Sequence, residues 1–347
     1  MKSKEITIDQ LQQFKELVKI DVRSPGEFVD GTIPGAFNIP LLDDAERAQV
    51  GTVYKQICTE KARSMGYEIV KPKLPGIFSH IQSLSENNKN VVLFCWRGGM
   101  RSQSLVDYCC EHGLEVSYLA GGYRAYRRLV YSFLSDLEKI PDMVVLMGLT
   151  GVGKTKLLSL LAQNGLPVID IEKAANNRGS VFGQIHGGSQ PTQKNFEAML
   201  YENLRSNDWG FSIIECESKR IGKIYLPDMI YHKMKTGLKI HLYADFDKRV
   251  ERLLEDYAGF PEDKLIDAIL HLKKALGQEK TNSLIDLVKK KSLEEVVIIL
   301  LRDYYDPLYG YPRGQANTYN ISINCNNLNA AVKEIMGFLS AKYGFNA

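Results

Sequence analysis

The stretch Met143-Val-Val-Leu-Met-Gly-Leu-Thr-Gly-Val-Gly-Lys-Thr155 decides the architecture of the second half of this 347-residue chain. Met143 to Met147 are consecutive apolar residues, the pattern of a buried strand. Gly148 to Thr155 follow with G-x-x-x-x-G-K-T spacing, and Lys156 to Gln163 continue with helical periodicity. Strand, glycine-rich turn and helix are the context this spacing requires. The glycines let backbone N–H groups wrap phosphate oxygens, a lysine bridges them as a point charge, and the threonine reaches a magnesium ion. Gly148, Thr150, Gly151, Gly153, Lys154 and Thr155 are therefore expected to hold phosphate, with magnesium at Thr155 as the candidate metal. A turn used for packing alone would leave Lys154 without a purpose. The cradle does not choose its ligand, since a nucleotide and the diphosphate of another molecule present the same oxygens.

Working outward, Pro167-Val-Ile-Asp-Ile171, Phe211-Ser-Ile-Ile-Glu215 and Lys239-Ile-His-Leu-Tyr-Ala244 read as further strands separated by helical patterns, a doubly wound sheet. From Pro261 to about Tyr305, Leu, Lys and Glu recur at helical spacing and predict a helical C-terminal part. Upstream, Ile140-Pro141 breaks the pattern, which predicts domains over 1–138 and 139–347. In the first of these, Lys19 to Arg23, Asn90 to Phe94 and Val116 to Leu119 read as strands, and Ser104 to Cys110 and Tyr126 to Glu138 as helices. That alternation predicts a second parallel α/β sheet.

Composition agrees with two globular domains: 44% of residues are hydrophobic and 24% charged, which excludes disordered and fibrous classes. No apolar run reaches the roughly 18 residues of a membrane span, and the N-terminus lacks a signal-peptide pattern. A cytoplasmic protein without membrane partners is the expectation. Six cysteines without CxxC or Cys/His zinc spacing exclude a disulfide framework and a zinc module. A net charge of +3 neither requires nor excludes a nucleic-acid partner.

Cys95-Trp-Arg-Gly-Gly-Met-Arg-Ser102 follows a buried strand and precedes a helix. At such a junction backbone N–H groups turn inward and the helix dipole adds positive potential, which suits an anion and lowers a thiol pKa. Gly98 and Gly99 allow the turn, Arg97 and Arg101 add charge, and Cys95 reads as a nucleophilic thiolate. A cysteine buried only for packing needs neither the glycines nor the arginines. Cys58, Cys109, Cys110 and Cys325 lack this setting and read as structural, with Cys216 left open.

Asp21-Val-Arg-Ser-Pro-Gly-Glu-Phe28, Gly31-Thr-Ile-Pro-Gly-Ala36, Asn38-Ile-Pro40 and Leu119-Ala-Gly-Gly-Tyr123 resemble the signatures of the rhodanese family, over residues 17 to about 130. The resemblance implies that Cys95 carries a persulfide or analogous intermediate and that Asp21 and Arg23 help position its loop. Two features depart from that family. Thr32 stands where many members have His, and the loop is C-x5-R rather than C-x4-R, as in cysteine phosphatases of the same fold. A larger loop also admits a tetrahedral, phosphate-like ligand.

The order rhodanese then phosphate loop, with Glu46 to Lys55, Asn177 to Gly183, Pro191 to Glu197 and Glu215 to Gly222, is similar to the tRNA 2-selenouridine synthase family over nearly the whole chain. The resemblance implies conversion of wobble 2-thiouridine in tRNA to 2-selenouridine through an S-geranylated intermediate, with geranyl diphosphate and selenophosphate as substrates and no tightly bound cofactor. Both donors are phosphorylated anions and the sequence offers two anion cradles, so geranyl diphosphate is expected at the phosphate loop and the selenium step at Cys95. Arg178 and Lys194, inside family-like segments, are expected donor or substrate contacts. Arg124, Arg127 and Arg128, with Lys219, Arg220 and Lys223, are expected to face tRNA, against the alternative of scattered surface charge. Glu215 and Glu217, with Asp170 at the end of the preceding strand, read either as metal-binding carboxylates or as ordinary strand-end acids. Two rival readings stay open. One is a nucleotide-dependent kinase or ATPase with a regulatory rhodanese module, suggested by His241 to Arg249 and Arg252, which resemble the strand and Arg-bearing helix of small-molecule kinases. The other is an RNA-binding or sulfur-carrier adaptor.

Overall fold

The computed structural model describes residues 4–14, 16–86, 90–177, 188–309 and 319–345, so Arg178 and most of the 177–183 segment lie outside the described residues. Two compact units emerge: Met1–Leu134 together with Thr192–Glu202, and Ser135–Pro191 together with Asn203–Ala347. An eleven-residue piece from the second half of the sequence thus belongs with the first unit.

The first unit is built on five parallel strands, β1 (Lys4–Ile6), β2 (Val18–Asp21), β3 (Phe37–Asn38), β4 (Val91–Phe94) and β5 (Ser117–Leu119), in the order β1-β5-β4-β2-β3. All four residues of β4 are buried, as expected for a central parallel strand. The following helix, Met100–Glu111, buries Leu105, Val106, Cys109 and Cys110, the i, i+1, i+4, i+5 face of a helix against a sheet. The helix Asp44–Gln56 is started by a reciprocal cap in which Asp43 accepts from the Glu46 amide and Glu46 from the Asp43 amide.

The second unit carries β6 (Asp142–Met147), β7 (Val168–Ile169), β8 (Phe211–Glu215), a small antiparallel pair β9 (Arg220–Ile221) and β10 (Ile224–Tyr225), then β11 (Leu238–Tyr243) and β12 (Ile321–Asn324). Its five-stranded sheet is parallel in the order β12-β11-β6-β8-β7. Val144 and Leu146 of β6, Phe211 and Ile213 of β8 and Leu242 of β11 pack against Leu157 and Leu161 of the helix Lys154–Gln163 and Ile335 and Leu339 of the helix Leu328–Tyr343. The helices Phe246–Tyr257, Glu262–His271, Gln278–Lys289 and Leu293–Leu300 enclose a separate core around Leu253, Ile269, Leu284 and Val297. This is the helical part that the C-terminal periodicity predicted.

Two expectations shift at element ends for local reasons, and two strands are added. The helix expected over 126–138 spans Gly122–Leu134. It stops before Asp136, whose carboxylate accepts from the Glu138 amide in a turn. The strand expected over 167–171 shortens to Val168–Ile169 because Asp170 caps the helix Ile171–Ala174, accepting from the Lys173 amide at 2.8 Å. Strands β1 and β12 are additions, short edge elements with too few residues to show a period.

Candidate functional site

Two loops and one carboxylate cluster gather the candidate functional side chains. In the first unit Cys95 directly follows β4, and the backbone around it is packed too tightly for side chains. Gly98 has φ +64°, and a Cβ there would lie 2.2 Å from the Leu119 carbonyl; a Cβ on Gly122 would lie 2.2 Å from the Cys95 carbonyl. The Tyr123 amide donates to the Cys95 carbonyl at 2.9 Å and the Arg124 amide to that of Trp96 at 3.0 Å. The rhodanese-like Gly-Gly-Tyr thus clamps the Cys95 loop through main chain, which explains its glycines.

The Cys95 thiol is 4% exposed and 3.3 Å from the Ser102 hydroxyl. Burial alone pushes its pKa up. Hydrogen bonds from the Ser102 hydroxyl and amide, the charge of Arg101 and the Arg97 amide outweigh that and hold it below the ordinary thiol value. Arg101 itself donates to Glu27 at 2.8 Å, with Arg47 on the same carboxylate at 3.3 Å. Burial raises the Glu27 pKa, but the Arg101 hydrogen bond and charge, with Arg47 and the Ser24 amide, bring it below the usual carboxylate range. Arg101 therefore acts on the thiol as a tethered charge, while Arg97 is exposed and makes no ion pair among the described residues. Gly99 stands before the first turn of the helix Met100–Glu111 with open space at its Cβ position.

Asp21 and Arg23 form a buried pair, Arg23 donating through Nε at 2.9 Å and Nη2 at 2.6 Å, and Nη2 also bonds the Gly31 carbonyl at 2.6 Å. The guanidinium lies 4.1 Å over the Tyr123 ring. The pair therefore supports Cys95 indirectly, through the residue whose amide holds the Cys95 carbonyl. Thr32, in the place of the expected His, donates its hydroxyl to Asp21 at 2.8 Å, and its amide donates to the Asn195 side chain at 3.1 Å. Asn195 belongs to the 192–202 piece, as do Lys194, paired with Asp30 at 2.5 Å, and Glu197, paired with Arg127 at 2.7 Å.

These pairings sort the expected contacts. Lys194 and Arg127 are engaged inside the first unit, whereas Arg124 and Arg128 are exposed. In the second unit Lys219 pairs with Asp228 at 2.8 Å, Arg220 bonds the Gly222 carbonyl at 2.9 Å, and Lys223 is exposed.

The phosphate loop runs from Gly148 to Gly153 between β6 and the helix Lys154–Gln163. Gly151 and Gly153 take φ +81° and +94°, and a Cβ on Gly148 would meet the Leu242 carbonyl at 2.6 Å. Lys154 Nζ donates to the Gly148 carbonyl at 2.8 Å, and Thr155 is exposed in the first helical turn. Two arginines of the helix Phe246–Tyr257 hold this loop from behind. Arg249 Nε donates to the Thr150 carbonyl at 2.8 Å and its guanidinium pairs with Asp306. Arg252 donates to the Val152 carbonyl at 2.8 Å and to the Cys325 carbonyl. The sequence singles out both arginines, but only through a kinase-like pattern. Their spacing of three on a helix after a sheet strand was the available signal for a common face; that this face meets a loop 100 residues upstream was not in the sequence.

Glu215, Glu217 and Glu172 converge at the end of the same sheet, one oxygen of each within 4.8 Å of the others. Glu215 is 2% exposed, with no hydrogen-bond partner for Oε1 among the described residues. Burial, then the charge of Glu172, raises the pKa of both Glu215 and Glu217, and Lys154 opposes the rise. Nothing in the sequence marks Glu172 as their companion, and Asp170, nearer to β7, is the helix cap described above. Cys216 lies between the two strand-end glutamates, and burial raises its pKa, the opposite of Cys95.

Comparison with known proteins finds two domain families along the chain. A model of the rhodanese-like domain matches residues 7–129, and a model of the tRNA 2-selenouridine synthase AAA domain matches residues 141–337. A tRNA 2-selenouridine synthase of Pseudomonas syringae pv. tomato is 34% identical, covering 85% of this chain and 88% of that protein. Those of Nitrosomonas europaea (32% identical, 89% and 93% covered) and Hydrogenovibrio crunogenus (34%, 86% and 89%) are similar over the same extent. With both domains matched in order and full-length relatives above 30% identity, the chain belongs to the tRNA 2-selenouridine synthase family.

Proposed function

We propose that this protein replaces the sulfur of wobble 2-thiouridine in tRNA with selenium by way of an S-geranylated nucleoside, using geranyl diphosphate and selenophosphate. The observation that carries the reading is the presence, in one chain of this family, of two separate anion-binding loops, each at the end of a buried parallel strand and the start of a helix.

The phosphate loop takes the diphosphate of the geranyl donor. Its backbone amides and Lys154 stabilise negative charge that grows on the departing diphosphate as the thiouridine sulfur forms a bond to geranyl carbon and the carbon–oxygen bond breaks. Arg249 and Arg252 keep those amides in place, so their kinase-like spacing is accounted for by loop support. Thr155 and the neighbouring carboxylates supply oxygen donors suited to magnesium, which fits the exposed Thr155 hydroxyl and the orphaned Glu215 oxygen. That ion would add positive charge beside a bound diphosphate.

The selenium step belongs to the Cys95 loop. There the new carbon–selenium bond forms at C2 of the base as the carbon–sulfur bond breaks and geranyl thiolate leaves; the Cys95 thiolate then attacks phosphorus, the selenium–phosphorus bond breaks with its electron pair going to selenium, and water hydrolyses the cysteinyl phosphate to release phosphate and restore the thiol. A lowered thiol pKa and inward amides suit a site for nucleophilic chemistry on a tetrahedral anion. Nucleoside mass spectrometry of tRNA from cells lacking the protein, with and without the gene restored, tests the reading. Loss and return of 2-selenouridine is expected, and unchanged nucleosides would reject it in favour of an ATPase or an adaptor.

A further inference from the structure

Strands β7 and β8 are parallel neighbours, with Val168 opposite Ile213 and Ile169 opposite Ile214. The chain therefore leaves both strands at the same end of the sheet, which brings Glu172, three residues beyond β7, to Glu215 and Glu217 at the end of β8. On its other side Glu215 is in register with Leu146 of β6, two residues before the phosphate loop begins. The three carboxylates are thus held by sheet register beside the loop.

Glu215 carries the argument. Its side chain is 2% exposed, its Oε1 has no hydrogen-bond partner among the described residues, and that carboxylate faces two others with oxygens within 4.8 Å. An unpartnered buried carboxylate oxygen among further carboxylates is an unfavourable arrangement unless positive charge enters. Lys154 contributes one such charge, acting on both Glu215 and Glu217. Protons or a dipositive ion would supply the rest, and only an ion is held by all three carboxylates in their ionised form. The donor set is oxygen only, without His or Cys, which selects a hard cation such as Mg2+, Mn2+ or Ca2+ over zinc or copper. In phosphate-loop proteins magnesium is ordinarily held by one or two protein groups and the substrate phosphates together. A preassembled set of three carboxylates is a different device, because it is complete without phosphate.

We propose that Glu172, Glu215 and Glu217 form a divalent-cation site that fills before, and independently of, any diphosphate. The site stands on its own geometry; its use, which is to present charge to a diphosphate in the adjoining loop, rests on the donor assignment made above. An ordered sequence follows, cation first and diphosphate second.

The test uses the full-length protein and Mn2+ alone, followed by electron paramagnetic resonance and equilibrium dialysis. One Mn2+ per chain should bind with no diphosphate and no tRNA present, and Mg2+ should displace it. Glu215→Gln and, as the less buried companion, Glu217→Gln should weaken binding at least about tenfold. Lys154→Ala should retain Mn2+, since it removes a competing positive charge, while losing affinity for inorganic pyrophosphate. Mn2+ that binds the unmodified protein only after pyrophosphate is added would overturn the proposal without reference to any variant. So would equal binding by folded Glu215→Gln and Glu217→Gln proteins. Failure of Lys154→Ala to lose pyrophosphate affinity would instead count against the donor assignment and leave the cation site standing.

Discussion

The Cys95 loop and the phosphate loop solve one problem with different supports. Both follow a buried parallel strand, both use glycines at positive φ, and both open onto a helix. The Cys95 loop is clamped by main chain, through the Tyr123 and Arg124 amides and the close approach of Gly98 and Gly122. The phosphate loop is clamped by side chains, the buried Arg249 and Arg252 bonded to its carbonyls. The charged partner of the Cys95 loop, Arg101, is half-buried and paired with Glu27 at its margin. A main-chain clamp leaves the region around a thiol free of added charge except where Arg101 supplies it. An arginine clamp places fixed positive charge behind a loop whose spacing suits phosphate oxygens.

The largest expected effect separates the chemistry of the two loops. Cys95→Ala should reduce selenium incorporation by at least about 10³-fold, as removal of a nucleophile does elsewhere, while S-geranyl-2-thiouridine accumulates. Lys154→Ala should suppress geranylation by about 10²-fold, the scale of one lost charge-stabilising donor. Mass spectrometry of tRNA nucleosides from the two variants reads both outcomes. Equal loss of geranylation in both would break the division of labour.

The supports themselves should differ in stability. Asp306→Asn leaves the Arg249 guanidinium, only 5% exposed, without its partner, and should cost about 3 kcal/mol; this is the low end for a broken buried pair because the Asp306 side chain is 30% exposed. Glu27→Gln beside the Cys95 loop breaks pairs that water reaches, and should cost about 0–1 kcal/mol. Urea unfolding of the two variants measures the contrast, and equal costs would show that the clamps do not differ as described.

How much of this was legible in the sequence follows the same contrast. Each loop declares itself locally, because glycine, lysine, cysteine and arginine at fixed spacing are what a strand–turn–helix anion site needs. Asp21 and Arg23 were also legible, but only as a signature; that they act through Tyr123 depends on a cation–π contact made a hundred residues later. Asp306, Asn195 and Glu172 were not legible. Asp306 reaches Arg249 across 57 residues, Asn195 reaches Thr32 across 163, and Glu172 joins Glu215 only because β7 and β8 are neighbours in the sheet. Strand order is set by the packing of whole elements, and no short stretch encodes it.

A subtler effect concerns the thiol. The lowered pKa of Cys95 means that its thiolate exists above that lowered value and is lost as pH falls through it, so alkylation by iodoacetamide should persist below the pH of about 8.5 at which an ordinary thiol is half ionised. Ser102→Ala removes the hydroxyl partner and should move the midpoint of the rate profile upward. A wild-type midpoint at or above the ordinary value would show that burial outweighs the hydrogen bonds and the Arg101 charge.

The smallest expected effect lies on the surfaces flanking the two loops. Arg124 and Arg128 follow the Cys95 clamp and are exposed, while Arg127 between them is paired with Glu197. In the second unit Lys223 is exposed, and Lys219 is paired with Asp228. A side chain already held by a carboxylate has less to give to a phosphate, so the tRNA contacts from these clusters should come from Arg124, Arg128 and Lys223. Each phosphate neutralised releases condensed counterions, so binding should weaken as salt rises. Reversing the charge at Arg124 and Arg128 should flatten the salt dependence of tRNA affinity by about one unit for each phosphate no longer neutralised, and Lys223→Glu by about one. Arg127→Glu should instead destabilise the first unit through repulsion from Glu197, with a smaller change in slope. Filter binding across several salt concentrations decides between the two behaviours. An unchanged slope in the Arg124, Arg128 and Lys223 variants would mark these as solvated faces and move the tRNA surface elsewhere, with the comparison between the two loops untouched.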